Sequence, residues 1–263
     1  MSRIAQAFAT AKAEGRAALV GYLTAFDPDR ETSRDRILGA CEAGLDVLEL
    51  GVPFSDPTAD GPGVQAAMVR ALASGATTDG VLALASEVRA RWDGPIVLFS
   101  YANPLIARGA DDLLASAAEA GVDGLLVVDL PAEHAPELRD PARARGLDWI
   151  SLVAPTTPAS RIETVASLST GFVYAVTLKG VTGATLDADN PELAARLQTI
   201  ATASSVPVAA GFGVRTPEQA AALGRHADGV VVGSALVAAA QRGPAALGAL
   251  TKALRASLAG GRG

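Results

Sequence analysis

Cysteine occurs once, at Cys41, so no intrachain disulfide can form, and a reducing, cytoplasmic setting is expected. Its apolar neighbours Ile37, Leu38, Ala40 and Ala43 read as a helix in which it is a small buried hydrophobe. Histidine occurs twice, at His134 and His226, too far apart in the chain to suggest a metal-ligand cluster. Basic residues form no run, and the formal charge is −6, which argues against nucleic acid as a partner. No apolar stretch reaches the ~20 residues a bilayer-spanning helix needs, so no membrane association is expected. Residues 1–18 lack a signal core; Ile4 and Phe8 fall at helical spacing and predict an amphipathic helix covering one end of the fold. There is no Walker loop, and no GxGxxG follows a strand.

What is present is small and apolar. Hydrophobic residues make up 49% and aromatics 4%, a composition suited to a large core of branched side chains. Eight apolar runs read as strands: 18–23, 46–50, 96–100, 124–128, 149–153, 172–176, 206–209 and 229–232. Helical stretches lie between them, at 33–43, 63–74 with 78–91, 111–120, 135–145, 159–167, 191–203 and 217–223, and 244–258 closes the chain. Eightfold strand–helix alternation over 263 residues predicts an α/β fold, a single (β/α)8 TIM barrel with an extra N-terminal helix, spanning 1–263 as one domain. A doubly wound open sheet competes, but Tyr22-Leu23-Thr24-Ala25-Phe26 after the first strand is no phosphate loop. Helix punctuation agrees. Thr216-Pro217-Glu218 and Asn190-Pro191-Glu192 read as N-caps, and Gly44, Gly121 and Gly146 as C-terminal caps.

In a barrel the chemistry sits at the C-terminal ends of the strands. Glu49 ends the second candidate strand, and Asp60 follows in its loop. Val47 and Glu49 share the inward face by the two-residue period. Two readings stay open for this pair: acid–base catalysis, or a cap, an ion pair and a turn former. Gly211-Phe212-Gly213 and Gly233-Ser234 follow strands seven and eight, where phosphate sites recur, and Gly180–Gly183 could add donors. Phe212, Tyr101, Phe54 and Tyr22 could line a flat aromatic substrate. Asp129 and Tyr174 also lie at the active end. His134 reads as a solvated helix start, and Lys179 as a surface lysine rather than a Schiff-base former.

These motifs, in this order, resemble the tryptophan synthase alpha chain family over nearly the whole length. The specific stretches are 49–62 (ELGVPFSDPTADGP), 128–131 (VDLP), 153–158 (VAPTTP), 179–183 (KGVTG) and 211–214 (GFGV). The resemblance implies a lyase that cleaves indole-3-glycerol phosphate to indole and glyceraldehyde 3-phosphate by a retro-aldol reaction. Glu49 matches the family's acid/base residue, and Asp60 the carboxylate beside the indole N–H. Asp60 is expected in the more polar setting, so as to stay ionised. Thr182 matches a loop threonine that meets Asp60. Gly183, Gly213, Gly233 and Ser234 match the phosphate cradle, and Phe212 and Tyr174 match positions around the ligand. Pro53, Ser55, Asp56 and Pro57 match the contact with a beta chain, in an alpha-beta-beta-alpha heterotetramer. No cofactor is expected in this chain; pyridoxal phosphate belongs to the beta partner.

Departures from the family pattern fall at Phe26, where a small residue is common, and at Thr58, Ser100 and Leu178-Lys179; the segment 184–190 is short. They bear on partner contact and loop closure, not on the two carboxylates. Three other readings remain: a non-catalytic regulatory subunit, a stand-alone indole producer, and a phosphate-binding barrel isomerase. The isomerase would rely on paired aspartates at strands one and five, which this chain lacks.

Overall fold

A computed structural model describes residues 1–177 and 187–260. The strands are β1 (Ala18–Thr24), β2 (Val47–Gly51), β3 (Ile96–Ser100), β4 (Gly124–Val127), β5 (Asp148–Val153), β6 (Val173–Val176), β7 (Val208–Gly211) and β8 (Gly229–Val232). All neighbours pair in parallel, and β8 returns to β1, closing the barrel in sequence order. The helices before β4 are α1 (Arg3–Ala13), α2 (Arg30–Glu42), α3 (Pro62–Ala73), α4 (Thr78–Arg89), α5 (Ala102–Ile106) and α6 (Ala110–Glu119). Those after it are α7 (Pro136–Ala144), α8 (Ala159–Ser167), α9 (Pro191–Ala203), α10 (Pro217–Gly224), α11 (Ser234–Gln241) and α12 (Pro244–Ser257).

Two cores result. The larger lies between the outer barrel face and the helices, and holds residues such as Leu48, Leu98 and Trp149. The smaller fills the barrel interior with Val20, Val47, Val97, Leu126, Ile150 and Val231, one layer of branched side chains against another. Helix α1 closes the N-terminal end of that interior with Ile4, Phe8 and Ala11, and Phe8 meets Phe172 with ring centroids 5.5 Å apart. Beside it, Asp46 accepts two bonds from Arg16 (2.6 and 2.9 Å), one from Arg255 (3.0 Å) and one from the Leu19 amide (2.7 Å). This network ties α12 and the segment between α1 and β1 to the bottom of β1 and β2.

The anticipated caps form. Thr216 and Asn190 accept from the Gln219 and Glu192 amides, and Gly44, Gly121 and Gly146 take φ of 119°, 80° and 79°. Some boundaries move. Helix α2 begins at Arg30, before the expected 33, because Asp29 accepts bonds from the Thr32 amide and hydroxyl and starts the helix earlier. Strand β7 runs from Val208 to Gly211, not 206–209: Pro207 has no N–H, and the Val208 amide is taken by Asp228. Strand β2 extends to Gly51, so Glu49 stands inside it, two residues before its end. Helix α5 was not anticipated; the Asp129 carboxylate accepts its first amide, from Ala102, at 2.8 Å. No helix among the described residues is long and apolar enough to cross a membrane.

Candidate active site

A cavity with about 490 Å³ of atom-free space, including its mouth, opens at the C-terminal ends of strands such as β2, β6, β7 and β8. Strand β2 delivers Glu49 to it, on the same inward face as Val47. The loop before α3 brings Asp60, and β6 brings Tyr174. Phe212, Gly213, Gly233 and Ser234 close the opposite wall. Seven of the anticipated residues therefore meet in one space. Thr182 and Gly183 lie outside the described residues.

Glu49 is 1% exposed, and its Oε1 has no hydrogen-bond partner. The cap and ion-pair readings of this residue fail, because no cation or amide among the described residues satisfies that oxygen. Burial alone pushes its carboxyl up to about 8, so it is largely protonated at neutral pH. Asp60 differs. The Tyr101 hydroxyl donates to its Oδ2 at 2.7 Å and accepts the Ala59 amide at 2.9 Å. Burial raises the Asp60 carboxyl from its ordinary value, and the Tyr101 bond lowers it. The more polar setting expected for Asp60 is thus only half met: it has the donor Glu49 lacks, yet it too is held partly out of water.

The aromatic lining is sorted by the structure. Phe212 and Tyr22 face the cavity. Tyr101 is buried behind Asp60 and stacks on Phe54 with centroids 5.1 Å apart, so it serves the site through its hydroxyl. Gly51 lies so close beneath the Tyr22 hydroxyl that no side chain would fit there. Phe99, Val64 and Val231 complete the apolar wall. Phe99 and Val231 lie near the ends of apolar strand runs, the only signal in the sequence, and core residues share it; Val64, in the first turn of α3, carries no such signal.

On the far wall, Ser234 opens α11, an eight-residue helix whose N-terminus meets the cavity. A helix N-terminus beside glycines is an anion site by geometry and dipole. Phe212 takes φ 96° and Gly213 φ 84°, a sharp turn after β7. Of the four residues matched to a partner contact, Ser55 and Asp56 are exposed and Pro57 half-buried, with the Ser55 hydroxyl on the Asp56 carboxylate. Pro53 is buried beneath them. Phe26 adopts φ 65°, a left-handed backbone conformation that glycine occupies more readily than a bulky residue. Among the described residues no cluster of His, Cys, Asp and Glu is placed to hold a metal ion.

A closed parallel barrel with a buried carboxyl of raised proton affinity at this end points to an enzyme of the TIM-barrel class. Comparison with known proteins narrows the class. The profile of the tryptophan synthase alpha chain matches residues 8–257. The tryptophan synthase alpha chain of Gluconacetobacter diazotrophicus is 53% identical over 239 residues, covering 90% of this chain and 87% of that one. That of Citrifermentans bemidjiense is 51% identical, covering 90% and 88%. Among solved structures, Mycobacterium tuberculosis tryptophan synthase superposes with a TM-score of 0.91 at 38% identity, covering 98% of both chains. The alpha subunit from Legionella pneumophila gives 0.89 at 36% identity, again with 98% of both covered. The chain belongs to the tryptophan synthase alpha chain family, whose activity is that of a lyase.

Proposed function

We propose that this chain cleaves indole-3-glycerol phosphate by retro-aldol chemistry, with Glu49 as the proton shuttle and Asp60 as the electrostatic partner. The observation that carries the reading is the buried Glu49 carboxyl in the cavity, its Oε1 unpaired among the described residues and its pKa raised to about 8 by burial. The protonated carboxyl gives its proton to indole C3, making that carbon a competent leaving group. The resulting carboxylate takes the proton of the adjacent glycerol hydroxyl as the carbon–carbon bond breaks. The aldehyde and indole leave, and the carboxyl is again protonated. During the first transfer, positive charge develops on the ring nitrogen, and ionised Asp60 stabilises it. The Gly213 turn and the N-terminus of α11 hold the phosphate; Phe212 and Tyr174 flank the ring. Thr182 and Gly183 are proposed to add to loop contact and phosphate binding.

The same reading makes the chain one domain working in the cytoplasm with a beta chain, in an alpha-beta-beta-alpha heterotetramer. The exposed Ser55 and Asp56, with Pro57, lie on the proposed contact, and Pro53 supports them from beneath. Pyridoxal phosphate is the partner's and takes no part in the chemistry here. No observation favours the regulatory or isomerase readings. The test is indole release by the purified chain from indole-3-glycerol phosphate, with and without a beta chain. Turnover is expected, and Glu49→Gln and Asp60→Asn should each lower it ~10²-fold or more. Near-wild-type turnover in either variant would overturn the assignment of that residue; no indole under either condition would favour the regulatory reading.

A further inference from the structure

The turn that carries Phe212 is strained, and one side chain is built to hold it. Phe212 stands at φ 96°, a region that a bulky L residue rarely occupies. Such a conformation persists only where its surroundings over-determine it. Thr177, the residue after β6, reaches across to this turn three times. Its amide donates to the Gly211 carbonyl at 2.9 Å and so extends the β6–β7 ladder by one step. Its hydroxyl lies 2.9 Å from the Gly211 carbonyl and 2.7 Å from the Phe212 carbonyl. One proton shared between two carbonyls aligns both peptide units on either side of the strained residue. Threonine is restricted at χ1, so few rotamers compete with the one that makes these bonds.

We propose that Thr177 is a positioning residue for substrate binding: its hydroxyl clamps the Gly211–Gly213 turn, setting the Phe212 ring against the substrate ring and Gly213 toward the phosphate. This rests on the reading of the site given above. It predicts an effect on binding rather than on proton transfer, because Glu49 and Asp60 stand on other elements.

Thr177→Val keeps the shape and stiffness of the side chain but removes the donor, leaving the Phe212 carbonyl without this partner. Thr177→Ser keeps the donor. In Thr177→Val, KM for indole-3-glycerol phosphate and the inhibition constant of inorganic phosphate should each rise about three- to tenfold, the worth of a hydrogen bond. The kcat should change less than about twofold, since binding shared by ground and transition states is what is lost. Thr177→Ser should restore wild-type values. Circular dichroism and thermal melting would establish that both variants fold. Unchanged KM and phosphate inhibition in folded Thr177→Val would overturn the clamp. So would a fall in kcat at constant KM, or a serine variant as impaired as the valine one. Calorimetric titration with inorganic phosphate reads the clamp without turnover: an affinity unchanged by Thr177→Val overturns it even if the wild-type chain forms no indole, whereas absence of indole alone counts against the lyase reading.

Discussion

The Tyr101 hydroxyl donates to Asp60 Oδ2 at 2.7 Å while accepting the Ala59 amide at 2.9 Å, so one phenol fixes both the side chain and the backbone of the Asp60 loop. Tyr101 stands just beyond β3 and Asp60 in the loop after β2. The bond favours the ionised carboxylate, against a burial that disfavours it. This separates the two acids of the site. Glu49 has burial and, among the described residues, no donor to its Oε1, so it holds its proton at neutral pH; Asp60 has both burial and a donor and is drawn back toward ionisation.

Tyr101→Phe removes the donor and leaves the burial. The Asp60 carboxyl should rise further, so the ionised fraction falls most at low pH. A hydrogen bond to a charged group is worth about 1.5 kcal/mol, which implies roughly a tenfold loss of kcat/KM on the acid side of the profile and a smaller one as pH rises. A pH profile of the variant checks this; a uniform loss at all pH values would assign Tyr101 to packing alone.

Glu49 sets the other limb. If the protonated carboxyl starts the reaction, kcat/KM for the wild-type chain should decline as pH rises through about 8. A limb at the ordinary glutamate range would place the proton elsewhere.

The same burial has a thermodynamic consequence with a defined sign. The folded state holds the Glu49 proton up to about 8, whereas the unfolded chain releases it near the ordinary value of 4.5. Between those values the folded state binds more protons, so this group lowers stability as pH rises through that window. Glu49→Gln carries no such penalty. It should gain stability relative to wild type from pH 5 to pH 9, by up to about 4 kcal/mol. Urea unfolding of both proteins at the two pH values measures it, and a constant difference would refute the shift.

Far from the cavity, Asp46 joins Arg16 and Arg255 beneath the barrel, with Arg16 itself buried. Removing one partner strands the others. Asp46→Ala should destabilise the fold by about 3 kcal/mol while leaving the KM of folded protein unchanged. Denaturant unfolding, with kinetics below the transition, separates the two effects.

Phe26 pits two forces against each other. Its φ of 65° costs about 1–2 kcal/mol, which glycine would relieve. Its side chain is nevertheless buried and packs on Gly80, and losing a buried phenylalanine costs about 3–5 kcal/mol. Packing wins by magnitude. Phe26→Gly should lower stability by about 2 kcal/mol; a variant that melts higher would show that strain dominates.

Local chemistry made much of this molecule readable. Apolar runs marked all eight strands, since strands covered on both faces have no polar side to show. Asn190 and Thr216 marked helix starts because their side chains cap the first free amides. The shorter features escaped. Helix α5 has five residues and no apolar period, and its start is completed by Asp129 from the next strand's end. The start of β7 depends on Asp228, twenty residues downstream of Val208.

The site divides the same way. The type and strand position of Glu49 and Asp60, and the glycines after β7 and β8, are properties of the chain itself. That Glu49 Oε1 finds no partner among the described residues, that Tyr101 serves Asp60 by its hydroxyl, and that Thr177 grips the Phe212 turn were decided only by the closed barrel. The reason is physical. Which strands alternate and which loops carry acids depend on neighbours in sequence. Proton affinity and side-chain aim depend on which groups folding withdraws from water and which distant donors it brings within 3 Å.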